Sequence, residues 1–202
     1  MIVASPSNSG KSTWIGKLLK NSDRLFSQPT RKVFYFYNIW SPTFDTWKAD
    51  NLEINFIQGI CTKEWIEENC SDGGSTIILD DQAMSISEDI AKVYSVLSHN
   101  HNINFIMLAQ NIFTKNKHFR DASLNSTYIV LGKNPRDQSS IRFLAQQMMP
   151  TRAKHVIEAY FLATRKPYSF LLLDFSQTCP ENLRMRANIF SETEPMTAYI
   201  KK

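Results

Sequence analysis

Short runs that are apolar throughout alternate along this chain with runs whose apolar residues recur every three or four positions. Residues 1–4 (MIVA) read as a strand feeding a Ser/Gly-rich turn. Residues 12–20 predict a helix, with Trp14, Ile15, Leu18 and Leu19 on one face. Residues 32–37 (KVFYFY) predict a strand of β-branched and aromatic residues. Residues 38–51 read as irregular, with a turn at Ser41-Pro42. A short strand is expected at 54–57 and a helix at 62–69, capped by Thr62. After the turn Asp72-Gly73-Gly74 the apolar run 76–79 ends in Asp80-Asp81. Residues 88–97 read as helical, and 103–108 (INFIML) as a strand ending at Ala109-Gln110-Asn111. A strand at 127–131, a loop at 132–136 and two helices, 137–148 and 151–164, follow, with Pro150 between the helices. Strands are expected at 168–175 and 183–190, and a loose tail at 191–202.

Strands that are apolar on every residue need cover on both faces. Their alternation with helices argues for an α/β fold with a mostly parallel, doubly wound sheet. The length of 202 residues suits one such domain, placed here at 1–190 with the tail after it. With 43% hydrophobic and 21% charged residues the balance is that of a globular protein. The net charge of +4 permits a nucleic-acid partner without arguing for one. Cys61, Cys70 and Cys179 form no C-x-x-C pair and read as reduced thiols. No secretory leader or membrane-length apolar run is present, so an intracellular, non-secreted protein is expected.

Ser5-Pro6-Ser7-Asn8-Ser9-Gly10-Lys11-Ser12 has the spacing of a phosphate-binding loop, with Ser5 where glycine is usual. Such a loop turns successive backbone N–H groups inward on phosphates. Gly10 lets the chain come close, Lys11 reaches the β and γ phosphates, and Ser12 offers a hydroxyl to Mg²⁺. Thr13 is expected near the α phosphate. The helix that follows aims its positive end at the same anion. A left-handed turn at Ser5 would be mildly strained by its Cβ.

Asp80 and Asp81 close an apolar strand, at the edge where open α/β sheets bind ligands. Asp80 is the candidate Mg²⁺ holder, and Asp81 the group that orients or deprotonates the attacking water. Gln110, at the next strand end, is the candidate sensor of the γ phosphate. Arg136 is the first candidate for an arginine lent to a neighbouring subunit, and Arg120 the second. Lys115, Lys117, His118 and Arg120 read as a small basic loop that is either a solvated face or a track for DNA phosphates. His99 and His101 lack the further ligands of a metal site. Phe34, Tyr35, Phe36 and Tyr37 read as strand and core residues.

Residues 1–11 (MIVASPSNSGK), 77–81 (IILDD), 98–111 (SHNHNINFIMLAQN), 123–137 (SLNSTYIVLGKNPRD) and 168–174 (YSFLLLD) together resemble the genome-packaging ATPases of Polinton-like viruses, adintoviruses and virophages. These are similar to the poxvirus-type packaging ATPases of the FtsK–HerA superfamily. The resemblance runs over nearly the whole chain. It implies a homo-oligomeric ring at the vertex of a viral procapsid, driving double-stranded DNA inward with ATP and Mg²⁺ at intracellular assembly sites. It places the nucleotide loop on residues 5–13, the paired acids on Asp80 and Asp81, and the polar sensor on Gln110. A Ser-His-His-x-Asn-like stretch of the family matches Ser98, His99 and Asn102, with Asn100 for the second histidine.

Two other readings share the loop. A small nucleotide or polynucleotide kinase would need an arginine-rich lid, for which only Arg184 and Arg186 stand out. An assembly protein would bind ATP without turning it over.

Overall fold

A computed structural model describes residues 1–27, 30–97, 102–190 and 194–200, with backbone alone at 96 and 97. Ser98, His99, Asn100 and His101, and residues 191–193 and 201–202 of the expected tail, lie outside the described residues.

The strands join in one sheet of order β3-β2-β4-β5-β1-β6-β7-β8-β9. They are β1 (Ile2–Ala4), β2 (Lys32–Tyr37), β3 (Ile54–Gln58), β4 (Ser75–Asp80), β5 (Asn104–Ala109), β6 (Tyr128–Gly132), β7 (Phe170–Asp174), β8 (Met185–Ala187) and β9 (Thr197–Ala198). From β3 across to β6 every pairing is parallel. From β6 to β9 every pairing is antiparallel. The helices are α1 (Lys11–Lys20), α2 (Ser22–Leu25), α3 (Pro42–Ala49), α4 (Lys63–Asn69), α5 (Glu88–Lys92), α6 (Lys117–Leu124), α7 (Ser139–Met148) and α8 (Ala153–Ala163). A π-helical stretch, Val93–Leu97, continues α5.

Successive residues of a strand face opposite sides, so strands apolar throughout supply two cores. Val3, Tyr35, Ile78, Ile106 and Val130 pack against Ile15 of α1 and Phe44 and Trp47 of α3. Ile2, Phe36, Ile77, Leu79 and Met107 face the other way, toward Ile66, Ile90, Phe119, Leu144 and Val156 of the remaining helices. The parallel α/β sheet expected from the sequence is therefore present, flanked by helices on both faces.

Three stretches expected to be irregular are ordered. Residues 38–51 contain α3, because Ser41-Pro42 is a helix start and not a turn. The Ser41 hydroxyl accepts from the Thr43 N–H at 3.4 Å, and Pro42 takes the first helical turn, where no N–H is needed. The basic segment after Asn116 is helical as well, since Asn116 caps α6 by accepting from the N–H groups of His118 (2.9 Å) and Phe119 (3.3 Å). Within 191–202, Thr197–Ala198 adds an edge strand to β8.

Candidate functional site

β1 ends in the middle of the sheet, between β5 and β6, and the phosphate-loop segment rises from its C-terminal edge. The Ser5 N–H continues the β5 pairing, donating to the Ala109 carbonyl at 3.0 Å. Left-handed backbone falls at Asn8 (φ 59°) and Gly10 (φ 88°), not at Ser5. The left-handed turn that would strain Ser5 does not occur there. Its side chain, 2% exposed, occupies space that Gly132 of β6 leaves open. A Cβ on Gly132 would lie 2.2 Å from the Ser5 hydroxyl oxygen and 2.8 Å from the Phe170 ring. The departure from glycine in the loop is thus matched by a glycine on the adjoining strand. Gly132→Ala is expected to destabilise the fold by about 1–3 kcal/mol through overpacking. Adding Ser5→Gly should recover part of that loss in denaturant unfolding, the Phe170 ring still crowding the new Cβ. Equal stability of Gly132→Ala and wild type would show that the two side chains do not compete for one space.

Gly10 is the N-cap of α1, which has neither a side-chain cap nor an acidic residue in its first turn. Its positive end is left for an anion from outside the helix. Ser9 closes the loop by donating to the Pro6 carbonyl at 2.6 Å. The Lys11 ammonium folds back onto the loop, donating to the carbonyls of Ser5 (2.6 Å) and Pro6 (2.9 Å). Burial lowers its pKa, while the nearby carboxylates of Asp80 and Asp81 act in the opposite sense.

Asp80 ends β4, opposite Leu108 of β5, so one strand separates it from β1. Tyr35 pairs with Ile78, which shares a face with Asp80, and its phenol donates to the Asp80 carboxylate at 2.7 Å. The Ser12 side chain lies close enough to the same phenol to act on its pKa. One tyrosine oxygen therefore stands beside both the loop and the acidic strand end. Burial raises the Asp80 pKa, the Tyr35 bond lowers it, Asp81 raises it and Lys11 lowers it, with burial largest. A carboxylate whose folded pKa is raised favours the folded state while protonated, and loses that contribution as pH rises through the folded value. At neutral pH its charge is a net cost. Asp80→Asn should therefore raise the melting temperature of the ligand-free protein at pH 7. The gain should vanish below the ordinary carboxylate range, at about pH 3–4. A lowered melting temperature at pH 7 would contradict it.

Asp81 adopts left-handed backbone (φ 53°), and its carboxylate accepts from the Gln110 amide at 3.0 and 3.3 Å. The next residue, Asn111, donates to Asp137 at 2.8 Å. Asp137 also accepts from the hydroxyls of Ser139 and Ser140 at the start of α7, and these bonds hold its pKa well below the usual carboxylate range. Asn134 turns the chain by accepting from the N–H groups of Arg136 and Asp137. Arg136 is exposed at this same sheet edge, without an ion pair among the described residues. Arg120 lies exposed on α6.

The structure thus brings Lys11, Ser12, Asp80, Asp81 and Gln110 together, and places Arg136 on the loop beside them. The sequence pattern places Tyr35 in the strand and core. Its phenol makes it part of this cluster, and only the β2–β4 pairing reveals that. Arg184, just before β8, and Arg186, within it, are tied down, Arg184 to Glu181 and the carbonyls of Asp174 and Ser176, Arg186 to Asp174. Neither forms a lid.

Mg²⁺ prefers hard oxygen ligands, takes one or two carboxylates, and completes its shell with phosphate and water. The Ser12 hydroxyl and the partly buried Asp80 carboxylate, gathered around one phenol, fit that donor set. No group of three or more His, Cys, Asp or Glu placed for a metal occurs among the described residues. No described helix is long and apolar enough to cross a membrane.

No family model matches this chain, and no curated protein matches it. In fold it is similar to the genome packaging NTPase B204 from Sulfolobus turreted icosahedral virus 2, a structure in complex with ATP-gammaS. The TM-score is 0.53 at 11% identity, over 100% of this chain and 96% of that one. The likeness is one of fold, and it covers essentially the whole of both chains.

Proposed function

We propose that this protein is an ATP-hydrolysing motor that moves double-stranded DNA into a viral capsid. The observation that carries the reading is the convergence of Lys11 with Asp80, Asp81 and Gln110 at the C-terminal edge of a parallel sheet. The fold shared with a genome packaging NTPase supports the choice of process. Residues 5–13 wrap the triphosphate. Its arrival draws the Lys11 ammonium off the carbonyls of Ser5 and Pro6 and onto the β and γ phosphates. Ser12 and Asp80 would hold Mg²⁺, which would supply positive charge against that developing on the phosphates.

Asp81 takes a proton from water as the water oxygen bonds to the γ phosphorus and the bond to the β–γ bridging oxygen breaks, giving ADP and phosphate. Gln110, bonded to Asp81, registers the loss of the γ phosphate. Asn111 passes the change to Asp137, and so to the loop that carries Arg136. In a homo-oligomeric ring docked at the procapsid vertex, at an intracellular assembly site, Arg136 reaches the neighbouring subunit's nucleotide.

Phosphate release by the assembled protein, with and without double-stranded DNA, tests the reading. Turnover is expected to rise on adding DNA, with a strong dependence on salt. Turnover indifferent to DNA would contradict a translocating motor.

A further inference from the structure

On the far side of the loop from Asp80 lies a cavity of about 190 Å³, between α1 and the β6–β8 part of the sheet. Gly10 and Thr13 form its wall on the loop side, and the residues before β7 and after β8 face them. We infer that this cavity takes the base and ribose of the nucleotide, with Tyr168 as the stacking face. The inference rests on the phosphate site proposed above and extends it to the nucleoside.

Strand order decides what enters. β4, with Asp80 and Asp81, lies on one side of β1, and β6, β7 and β8 lie on the other. A triphosphate whose γ end meets Asp80 and Asp81 crosses the N-terminus of α1 toward Thr13. Its nucleoside then emerges on the β6–β8 side. The volume is below the roughly 300–1,000 Å³ of pockets that enclose whole drug-sized ligands. It suits one portion of a nucleotide.

The lining suits a flat ring. Trp14 lies beneath, packed against Phe170 (6.0 Å between centroids) and Phe190 (5.3 Å). Tyr168 stands at the mouth, 72% exposed. A Cβ on Gly10 would lie 3.1 Å from its ring, so the aromatic edge rests on the phosphate loop itself. The Tyr168 backbone is left-handed (φ 60°), a costly conformation for a bulky side chain that recurs at ligand sites. An exposed ring held this way at the rim of the loop contributes little to a core and is placed to meet a ligand. Asn188 donates to Glu194 at 3.1 Å, and Glu194 also pairs with Lys166, so amide and carboxylate edges line the wall. The charge of Arg186 is committed to Asp174. Lys17 lines the cavity as well, and the Asn188 amide and Glu194 carboxylate suit the edge of a base.

Calorimetric titration with ATP and with inorganic tripolyphosphate, both with Mg²⁺, separates the nucleoside from the phosphates. Tyr168→Ala is expected to weaken ATP roughly tenfold and leave tripolyphosphate unchanged, since stacking on a base acts on the nucleoside alone. Tyr168→Trp should restore ATP affinity. Unchanged ATP affinity in Tyr168→Ala, or equal loss for both ligands, would overturn the inference. Lys11→Ala, run in parallel, should weaken both ligands. If it weakens neither, the phosphate site is wrong and the nucleoside pocket falls with it.

Discussion

Asp81→Asn is expected to lower ATP turnover by roughly 10²–10⁴-fold, the usual contribution of a positioned general base, while ATP binding persists. Asparagine keeps the shape of the side chain and removes the proton acceptor. Asp81 is exposed and bonded to Gln110, so the substitution disturbs the fold little. The loss should appear in turnover and not in affinity, because the carboxylate acts on water in the transition state. Steady-state phosphate release together with an ATP titration checks both halves. A variant with wild-type turnover would remove Asp81 from the chemistry.

Lys11→Ala carries the second large effect. The ammonium is the cation nearest the loop carbonyls and is felt by both aspartates. Its removal should reduce turnover by roughly 10²–10³-fold or more, the scale for one lost electrostatic contact to the transferring group. Stability should move little. Burial depresses the Lys11 pKa, so its charge costs the ligand-free fold, and that cost lifts as pH rises through the folded value. At pH 7 that cost offsets the two hydrogen bonds to the loop carbonyls that Lys11→Ala removes, so the unfolding midpoints of wild type and variant should be close, even as activity collapses. A collapse of both would mean that Lys11 acts as a structural residue.

Much of the fold was legible because local pattern and tertiary role agree. β2 runs over Lys32–Tyr37, the span its β-branched and aromatic run predicts. Thr62 caps α4 as expected, accepting from the Trp65 N–H at 3.2 Å. The missed helices are short and weakly patterned. α3 buries Phe44 and Trp47, and its start, Ser-Pro, has the same letters as a turn. α6 buries Phe119 and Ala122 in a run dominated by charge. The π-helical stretch after α5 leaves no mark in a pattern that reads equally well as α-helix.

At the site, residues joined by a local motif were legible, and residues joined by topology were not. The run from Ser5 to Ser12 and the pair Asp80-Asp81 are local patterns. Tyr35 joins them because β2 pairs with β4. Ser5 tolerates its side chain because β6, ending in Gly132, lies beside β1. Tyr168 reaches Gly10 from a segment far along the chain. Each of these depends on strand order, which no window of sequence contains.

The most direct measurement is a structure of the protein with ATP-gammaS and Mg²⁺. The γ-phosphate should lie between Lys11 and Asp81, with the metal between Ser12 and Asp80 and the nucleoside over Thr13. A nucleotide bound instead in the larger cavity of about 590 Å³, which is lined by Met1, Tyr94 and Asp174, would contradict it.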